Sequence, residues 1–396
     1  MLDFTPLSAS EGILNKRRAG GVCLKSASKP PPDGQAVQQE SRLLKKYRRQ
    51  STRTSDRIAN LSFADGKFQL AGNNAPHELR TPGSNALSFI RASRMSLSIL
   101  VLFFTALSPA VVRAADEQMR ADLYEQVVRV PMRVKGLFSV KEVNLTATTY
   151  RPHGDGPFPL VVLSHGTPPR PADRVKIGRF RRIPQIREFI NRGFAVIVPM
   201  RRGHGESGGD YAEEIGSCKT PAYDDAGRES ARDVLAACDV AAKLPFVDPE
   251  CILLVGQSTG GFASLAAASL TPSGVIGVVN FSGGKGGNPF TRPGEPCEPS
   301  SLAATIAAFS RTIKVPVLWH YVENDRFFSP RYIREWFAAF EQAGGKGRLV
   351  IQPPFGDDGH ALFNARDGIP IWTREFDSFM RDFKIGAGGC RIQIGR

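Results

Sequence analysis

The stretch of the sequence with the clearest chemical character is the pentapeptide at residues 256–260, Gly-Gln-Ser-Thr-Gly. An apolar run, residues 252–255, precedes it, and small apolar residues with helical character follow it. A strand, a G-x-S-x-G turn and a helix form the context of a nucleophile elbow, which exposes a serine hydroxyl. Glycine is required there because the sharp turn leaves no room for side chains. We therefore predict that Ser258 is a nucleophile, next to a helix N-terminus that favours developing negative charge.

A second G-x-S-x-G occurs at residues 205–209 and contains Ser207. This copy follows the polar residues 201–204 rather than a strand, and no apolar helical face comes after it. The pattern is weak by itself, so its context decides between the two serines. We predict that Ser207 lies in a loop and that Ser258 carries the chemistry.

A serine hydroxyl needs a base to accept its proton, and that base needs a carboxylate to orient it. Behind a nucleophile elbow these partners follow in the order serine, acid, histidine. Of the 6 histidines, His320 and His360 follow Ser258. His320 lies within an apolar run and is predicted to be a strand side chain. His360 lies in a glycine-rich loop after the last predicted strand, and we predict that it is the base.

The acid is expected in the loop after the penultimate predicted strand. Asp325 is the predicted acid, and Glu323 is the alternative. Asp357 and Asp358 are too close in sequence to His360 to orient its ring, so we expect them to shape its loop.

Acyl transfer also needs two N–H groups that bind the developing oxyanion. One is predicted to be that of Thr259, the residue after the nucleophile. The other is predicted to be that of Thr167, in the loop after an early buried strand. His165, in the same loop, is predicted to be structural. These groups imply no cofactor, and no Cys/His spacing in the sequence suggests a zinc site.

Residues 116–396 alternate between strand-like and helix-like segments. The strand-like segments are residues 127–134, 143–150, 160–163, 194–200, 252–255, 275–281, 315–321 and 348–352. The helix-like segments are residues 182–191, 227–244, 261–270, 330–343 and 369–383. The first two strands are expected to form an antiparallel pair. The alternation predicts an α/β fold with a mostly parallel central sheet and helices on both faces.

The sequence resembles α/β-hydrolases of the dienelactone-hydrolase-like group, which borders on the catalytic domains of prolyl oligopeptidases. The matching segments, within residues 120–385, are residues 164–166, 202–209, 256–261, 323–325 and 359–360. The resemblance implies the α/β-hydrolase fold and a triad of Ser258, Asp325 and His360. Dienelactone hydrolases carry a cysteine nucleophile, so their lactone substrate does not carry over. Residues 115–150 are too few for the N-terminal propeller domain of prolyl oligopeptidases, which normally controls substrate access to their active site.

Three segments are predicted along the chain. Residues 1–94 are polar and show no helical or strand periodicity, which predicts a disordered leader. Alternatively, translation begins at Met95 and residues 1–94 are not part of the protein. Residues 95–114 combine an apolar stretch with small residues before a cleavage point, as in a signal peptide. Residues 115–396 form the hydrolase domain. The protein is thus predicted to be exported, periplasmic or secreted, with an uncleaved membrane anchor at residues 96–112 as the alternative.

The net charge of +14 is concentrated in the leader. Residues 1–94 hold 16 basic and 7 acidic residues, whereas residues 115–396 hold 35 and 31. A basic face for nucleic acid is therefore not indicated. The expected partner is a small-molecule ester or a short peptide, without stable membrane association once the signal is cleaved. The basic stretch at residues 170–182 is interpreted as a solvated face, with a rim that attracts anionic substrates as the alternative.

The 6 cysteines are Cys23, Cys218, Cys238, Cys251, Cys297 and Cys390. Export would permit disulfides, but their connectivity does not follow from the sequence. Cys218 and Cys297 lie in loops near the predicted site, and Cys238 and Cys251 are interpreted as free buried thiols.

Together these residues predict an exported serine hydrolase that cleaves a carboxylic ester through an acyl-enzyme. A serine peptidase acting on short peptides is one alternative. A non-catalytic binding protein on the same fold is another, and the presence of all three triad residues disfavours it.

Overall fold

The computed structural model describes residues 118–135 and 139–393. The predicted leader, residues 1–94, and the predicted signal peptide, residues 95–114, lie outside these ranges. Within the described residues, no helix has both the length and the apolar character needed to span a bilayer.

One sheet of eight strands organises the described part of the chain. The strands are β1 (Gln126–Lys135), β2 (Val140–Tyr150), β3 (Phe158–Ser164), β4 (Ala195–Pro199), β5 (Val247–Gln257), β6 (Val275–Phe281), β7 (Val317–Val322) and β8 (Gly347–Gln352). Their order across the sheet is β1-β2-β4-β3-β5-β6-β7-β8. β2 runs antiparallel to both of its neighbours, β1 and β4, and the other strands pair in parallel. The prediction of a mostly parallel sheet is confirmed.

Helices cover both faces of this sheet. They are α1 (Ile183–Asn191), α2 (Tyr223–Ala241), α3 (Thr259–Ser269), α4 (Pro299–Ser310), α5 (Pro330–Gln342) and α6 (Ile369–Asp382). One core contains side chains of α2 to α5, and the other contains side chains of α1 and α6. In β3, Leu160 and Val162 enter the first core, whereas Val161 and Leu163 enter the second. Burial on both faces explains why the central strands are continuous apolar runs.

Helix α4 has no counterpart among the predicted elements. Leu302, Ile306 and Phe309 are buried at helical spacing, but alanines, serines and a threonine fill most other positions, so the apolar period is weak. Helix α2 begins at Tyr223, four residues before its predicted start. Its first turn is polar, and a hydrophobic pattern does not mark such a turn.

Two disulfides join distant parts of the chain. Cys218 pairs with Cys297, which ties the loop before α2 to the loop before α4. Cys251 of β5 pairs with Cys390, which lies beyond α6. The interpretation of Cys238 as a free buried thiol is confirmed. The same interpretation of Cys251 is wrong, because the fold brings it next to a cysteine 139 residues away in sequence.

Candidate active site

Ser258 occupies the turn between β5 and α3, at the carboxyl ends of the parallel strands. Its backbone has φ 58° and ψ −126°, a conformation that costs a residue with a side chain about 1–3 kcal/mol. The Ser258 N–H donates to the carbonyl oxygen of Phe281 in β6, at 2.9 Å. This bond anchors the turn to the neighbouring strand, so the surrounding sheet maintains the strained conformation.

The glycines of the pentapeptide are needed because backbone segments approach closely. A Cβ on Gly256 would lie 2.1 Å from the carbonyl oxygen of Gly260, and a Cβ on Gly260 would lie 2.1 Å from that of Ser164. On Gly166, a Cβ would lie 3.1 Å from the Cβ of Ser258. The glycines therefore permit both the turn itself and the packing of α3 against the end of β3.

His360 and Asp325 form a hydrogen-bonded pair at the same edge of the sheet. The Nδ1 atom of His360 lies 2.9 Å from Oδ2 and 3.1 Å from Oδ1 of Asp325. The backbone N–H groups of Phe327 and Phe328 also donate to Oδ1, at 2.8 and 3.0 Å. The backbone thus holds the carboxylate in place, and the carboxylate orients the imidazole ring.

Ser258 and His360 line one cavity of about 470 Å³. Within the described residues, no hydrogen bond joins the Ser258 hydroxyl to the His360 ring. Such bonds are often long in the absence of substrate and shorten in the reacting complex. The structure therefore brings the predicted nucleophile, base and acid to one site, with the serine and histidine facing a common space.

The loops that carry the acid and the histidine are tied together. Asp358 accepts hydrogen bonds from the backbone N–H groups of His360 and Arg326, each at 3.0 Å. Asp358 thus shapes the loop, as predicted. The ring of Phe327 stacks on that of His360 with 4.0 Å between centroids. The alternative acid, Glu323, is exposed, and its side chain has no hydrogen bond or ion pair within the described residues.

The two predicted oxyanion residues also lie side by side. Thr259 is the first residue of α3, so its N–H has no acceptor within the helix. Thr167 follows β3, and its hydroxyl oxygen lies 2.8 Å from that of Thr259. Both line a second cavity of about 230 Å³ together with Ser258. The side-chain bond between the threonines fixes the distance between the two chain segments that carry the predicted N–H groups.

Arg201 is a fully buried residue that the sequence analysis did not single out. Its Nη1 donates to Ser164 Oγ at 2.9 Å and to the carbonyl oxygen of His165 at 2.6 Å. Its Nη2 lies 3.2 Å from Thr259 Oγ1 and 3.4 Å from Thr167 Oγ1. One guanidinium therefore contacts both segments that carry the predicted oxyanion groups. The sequence feature that could have indicated Arg201 is its position directly after an apolar strand.

The charge of Arg201 is balanced by Glu213, which is buried beside it. Glu213 also forms an ion pair of 3.1 Å with Lys285, whose ammonium lies 3.1 Å from the Tyr211 hydroxyl. Burial opposes the negative charge, but Arg201 and Lys285 hold the pKa of Glu213 well below its usual value. This network forms part of the wall of the smaller cavity.

His165 and His320 are buried away from the catalytic candidates' hydrogen bonds. His165 Nε2 accepts the backbone N–H of Arg201 at 3.0 Å, and its Nδ1 lies 2.7 Å from the carbonyl oxygen of Gly166. Burial lowers the pKa of His165 well below its usual value and that of His320 to about 4. Both are positioned as predicted. Among the described residues, no group of three or more His, Cys, Asp or Glu could hold a metal ion.

Ser207 lies in a loop, as predicted. Its hydroxyl accepts the backbone N–H of Thr146 at 2.9 Å and donates to the carbonyl oxygen of Met200. These bonds hold the loop against β2 and the end of β4. The hydroxyl is therefore occupied by structural partners.

A group of arginines lines the larger cavity together with Ser258 and His360. They are Arg179, Arg181 and Arg182, which all belong to the predicted basic stretch. The carboxylate of Glu125 pairs with Arg179 at 2.9 Å and with Arg181 at 2.6 Å. Burial opposes its charge, but hydrogen bonds from Arg181, the Arg120 N–H and Arg179 outweigh it and lower its pKa to about 2.

The strand order and the serine turn together identify the fold. β2 alone is antiparallel in the order β1-β2-β4-β3-β5-β6-β7-β8, and the elbow follows the central strand β5, as in the family that the motifs resemble. The chain has the α/β-hydrolase fold. The model of the prolyl oligopeptidase family matches residues 180–273 of this chain, which include the elbow.

Several solved structures are similar to this chain. A protein of Klebsiella pneumoniae subsp. pneumoniae assigned as a dienelactone hydrolase is 16% identical, with 65% of this chain and 99% of that chain covered and a TM-score of 0.41. An esterase of Pyrococcus furiosus is 16% identical, with 67% and 94% covered and a TM-score of 0.46. These similarities concern the fold alone.

An acylaminoacyl peptidase of Pyrococcus horikoshii is 14% identical, with 64% of this chain and 41% of that chain covered and a TM-score of 0.45. This chain thus spans less than half the length of that peptidase. Comparison with proteins of curated function finds no match to this sequence.

The ion pairs of Glu125 give a pH-dependent contribution to stability. Replacement of Glu125 by Gln removes charged hydrogen bonds to two arginines, so the free energy of unfolding at pH 7 should fall by about 1.5–3 kcal/mol. The folded pKa of Glu125 is lowered from 4.5 to about 2. Its stabilising effect is therefore complete above pH 4.5 and is lost as the pH falls towards 2, where protonated Glu125 resembles glutamine.

Urea unfolding of the wild type and the Gln variant between pH 7 and pH 3 measures this effect. The difference between the two proteins should shrink as the pH falls. The matched control is Glu323→Gln, at an exposed position, which should change stability by less than about 0.5 kcal/mol. A difference between wild type and Glu125→Gln that is independent of pH would contradict the ion-pair account.

Proposed function

We propose that this α/β-hydrolase is an esterase that cleaves a carboxylic ester through a serine acyl-enzyme. The observation that carries the proposal is the bond between His360 and Asp325 at the edge of a cavity that Ser258 also lines. A base that is held by a buried carboxylate, beside a cavity that a serine on a strained turn also lines, is the arrangement that nucleophilic catalysis requires.

The chemistry follows from these positions. Ser258 Oγ attacks the ester carbonyl carbon while His360 Nε2 accepts the hydroxyl proton, and Asp325 stabilises the imidazolium that forms. The N–H groups of Thr259 and Thr167 bind the oxyanion of the tetrahedral intermediate. The C–O bond to the alcohol then breaks, and His360 gives the proton to the departing oxygen. Water repeats the sequence on the acyl-enzyme, releasing the acid and restoring Ser258.

A peptidase that acts on short peptides is the second candidate. The match of the prolyl oligopeptidase family model across the elbow favours it. The same residues perform both reactions, because the acyl-enzyme is common to esters and amides. The two candidates are separated by kcat/KM for an ester and an amide with the same acyl group: faster cleavage of the amide would favour the peptidase.

Ser258→Ala should abolish ester hydrolysis. Loss of the nucleophile of a triad commonly lowers kcat on the order of 10⁴–10⁶-fold, and the fold should persist because a single hydroxyl on the cavity wall contributes little to packing. Hydrolysis of a short-chain aryl ester measures the loss, and covalent labelling by a fluorophosphonate should disappear with it.

Ser207→Ala is the matched control, since it removes a serine from the other G-x-S-x-G. This variant should lose thermal stability, because two backbone partners become unsatisfied, yet retain fluorophosphonate labelling and most ester hydrolysis while folded. An equal loss of activity in both variants would assign the wrong serine. Absence of labelling in the wild type would support a binding protein without catalysis.

Asp325→Asn should lower kcat on the order of 10⁴-fold, because an amide neither favours the required imidazole tautomer nor stabilises the imidazolium. Glu323→Gln should have little effect, since Glu323 is exposed and two positions away in the same loop. Steady-state hydrolysis of one ester by both variants provides the measurement. The opposite ranking would move the acid to Glu323.

We further propose that the protein is exported. The support is the predicted signal peptide at residues 95–114 and the presence of two disulfides in the described domain, which persist in oxidising compartments. N-terminal sequencing of protein made from the full reading frame should find a mature end at or next to Ala115. A chain that begins at residue 1 and stays with membranes after a carbonate wash would indicate an anchor at residues 96–112.

A further inference from the structure

The wall of the larger cavity has an excess of positive charge. Three arginines line it, Arg179, Arg181 and Arg182, and within residues 118–135 and 139–393 no acidic side chain does. Arg182 is exposed; its guanidinium lies 5.3 Å from the ring centroid of Phe180, and it forms no ion pair within the described residues. The cavity is thus built to receive a group that carries negative charge.

Glu125 neutralises only part of this charge. It lies behind the wall, with a fully buried carboxylate, and both oxygens are occupied. Besides Arg179 and Arg181, they accept the Tyr150 hydroxyl at 3.1 Å and the Arg120 N–H at 2.7 Å. These contacts leave out Arg182, whose positive charge faces a partly enclosed space, where electrostatic attraction is stronger than in bulk water.

The position of His360 indicates which half of an ester meets this wall. A triad histidine gives its proton to the departing oxygen, so the alcohol half must lie on the histidine's side of the nucleophile. Among the described residues, His360 lines the larger cavity and not the smaller one, which contains Thr259 and Lys285. The alcohol half therefore extends into the larger cavity, and the acyl half into the smaller one.

We propose that the substrate is an ester whose alcohol half carries a carboxylate or another anionic group, which binds to Arg182 beside Arg179 and Arg181. This proposal rests on the proposed esterase function and specifies its substrate class. Guanidinium groups suit the role because their planar array of N–H donors matches a carboxylate in a bidentate manner. A cavity of about 470 Å³ has room for an alcohol the size of a substituted phenol.

The test compares two butyrate esters that differ in one group, 4-carboxyphenyl butyrate and 4-carbamoylphenyl butyrate. In Arg182→Gln, kcat/KM should fall about 10–100-fold more for the carboxylate ester than for the carbamoyl ester, the effect of losing a charged hydrogen bond. The comparison between variant and wild type cancels the intrinsic difference in leaving-group reactivity. High salt should reduce the wild-type preference for the carboxylate ester.

Arg170→Gln is the matched control. Arg170 belongs to the same basic stretch and is exposed like Arg182, but it pairs with Asp173 at 2.8 Å and does not line the cavity. Its loss should leave the ratio of the two kcat/KM values unchanged. An equal change in both variants would show a general effect of net charge and would overturn the proposed binding site.

A second pair of substrates tests the assignment of the two halves. Phenyl hydrogen adipate carries its carboxylate on the acyl side, and phenyl methyl adipate is its neutral counterpart. The ratio of the kcat/KM values for these two adipate esters should be nearly the same in Arg182→Gln and the wild type. If Arg182→Gln affected this pair instead of the butyrates, the anionic group would belong to the acyl half and the proposal would fail.

Binding separates this proposal from the esterase function itself. 4-Hydroxybenzoate should bind Ser258→Ala more tightly than 4-hydroxybenzamide does, and adding Arg182→Gln should remove that difference. Calorimetry measures this without any turnover. If the wild type cleaved none of the esters, the esterase function would be rejected. If the two ligands bound equally, the anionic subsite would be rejected.

Discussion

The close approach of backbone segments around Ser258 is the constraint on which the rest of the structure depends. Helix α3 begins directly against the end of β3, with Gly260 facing the Ser164 carbonyl across a gap that admits no side chain. This contact places the N-terminus of α3 beside the loop after β3. It therefore brings together the two segments that carry Thr259 and Thr167, and it leaves Ser258 at the wall of both cavities.

A network of buried ion pairs then holds in place the two segments that backbone packing brings together. Arg201 bonds to the loop after β3 and to the first residue of α3, and Glu213 and Lys285 complete its network. A buried guanidinium is expensive unless all its partners are present. The network thus gives the site a single arrangement, at the cost of sensitivity to loss of any member.

Local patterns were sufficient to predict a mostly parallel sheet and the approach of Ser258, Asp325 and His360 to one another. The runs that become β3 to β7 are apolar because they are buried on both faces. Ser258 and Asp325 each follow such a run, whereas His360 follows the half-buried edge strand β8. Arg201, Glu213 and Cys390 were missed because their roles depend on partners distant in sequence. Helix α4 was missed because its small residues weaken the period that marks a helix.

The disulfide between Cys218 and Cys297 has a consequence for how the protein is handled. It joins the loop after Glu213 to the loop after Lys285, and Cys297 lines the smaller cavity together with both of these residues. A reducing environment breaks this covalent link and leaves the two loops held by noncovalent contacts alone. The redox state of the compartment in which the polypeptide matures thus becomes a determinant of the shape of the smaller cavity.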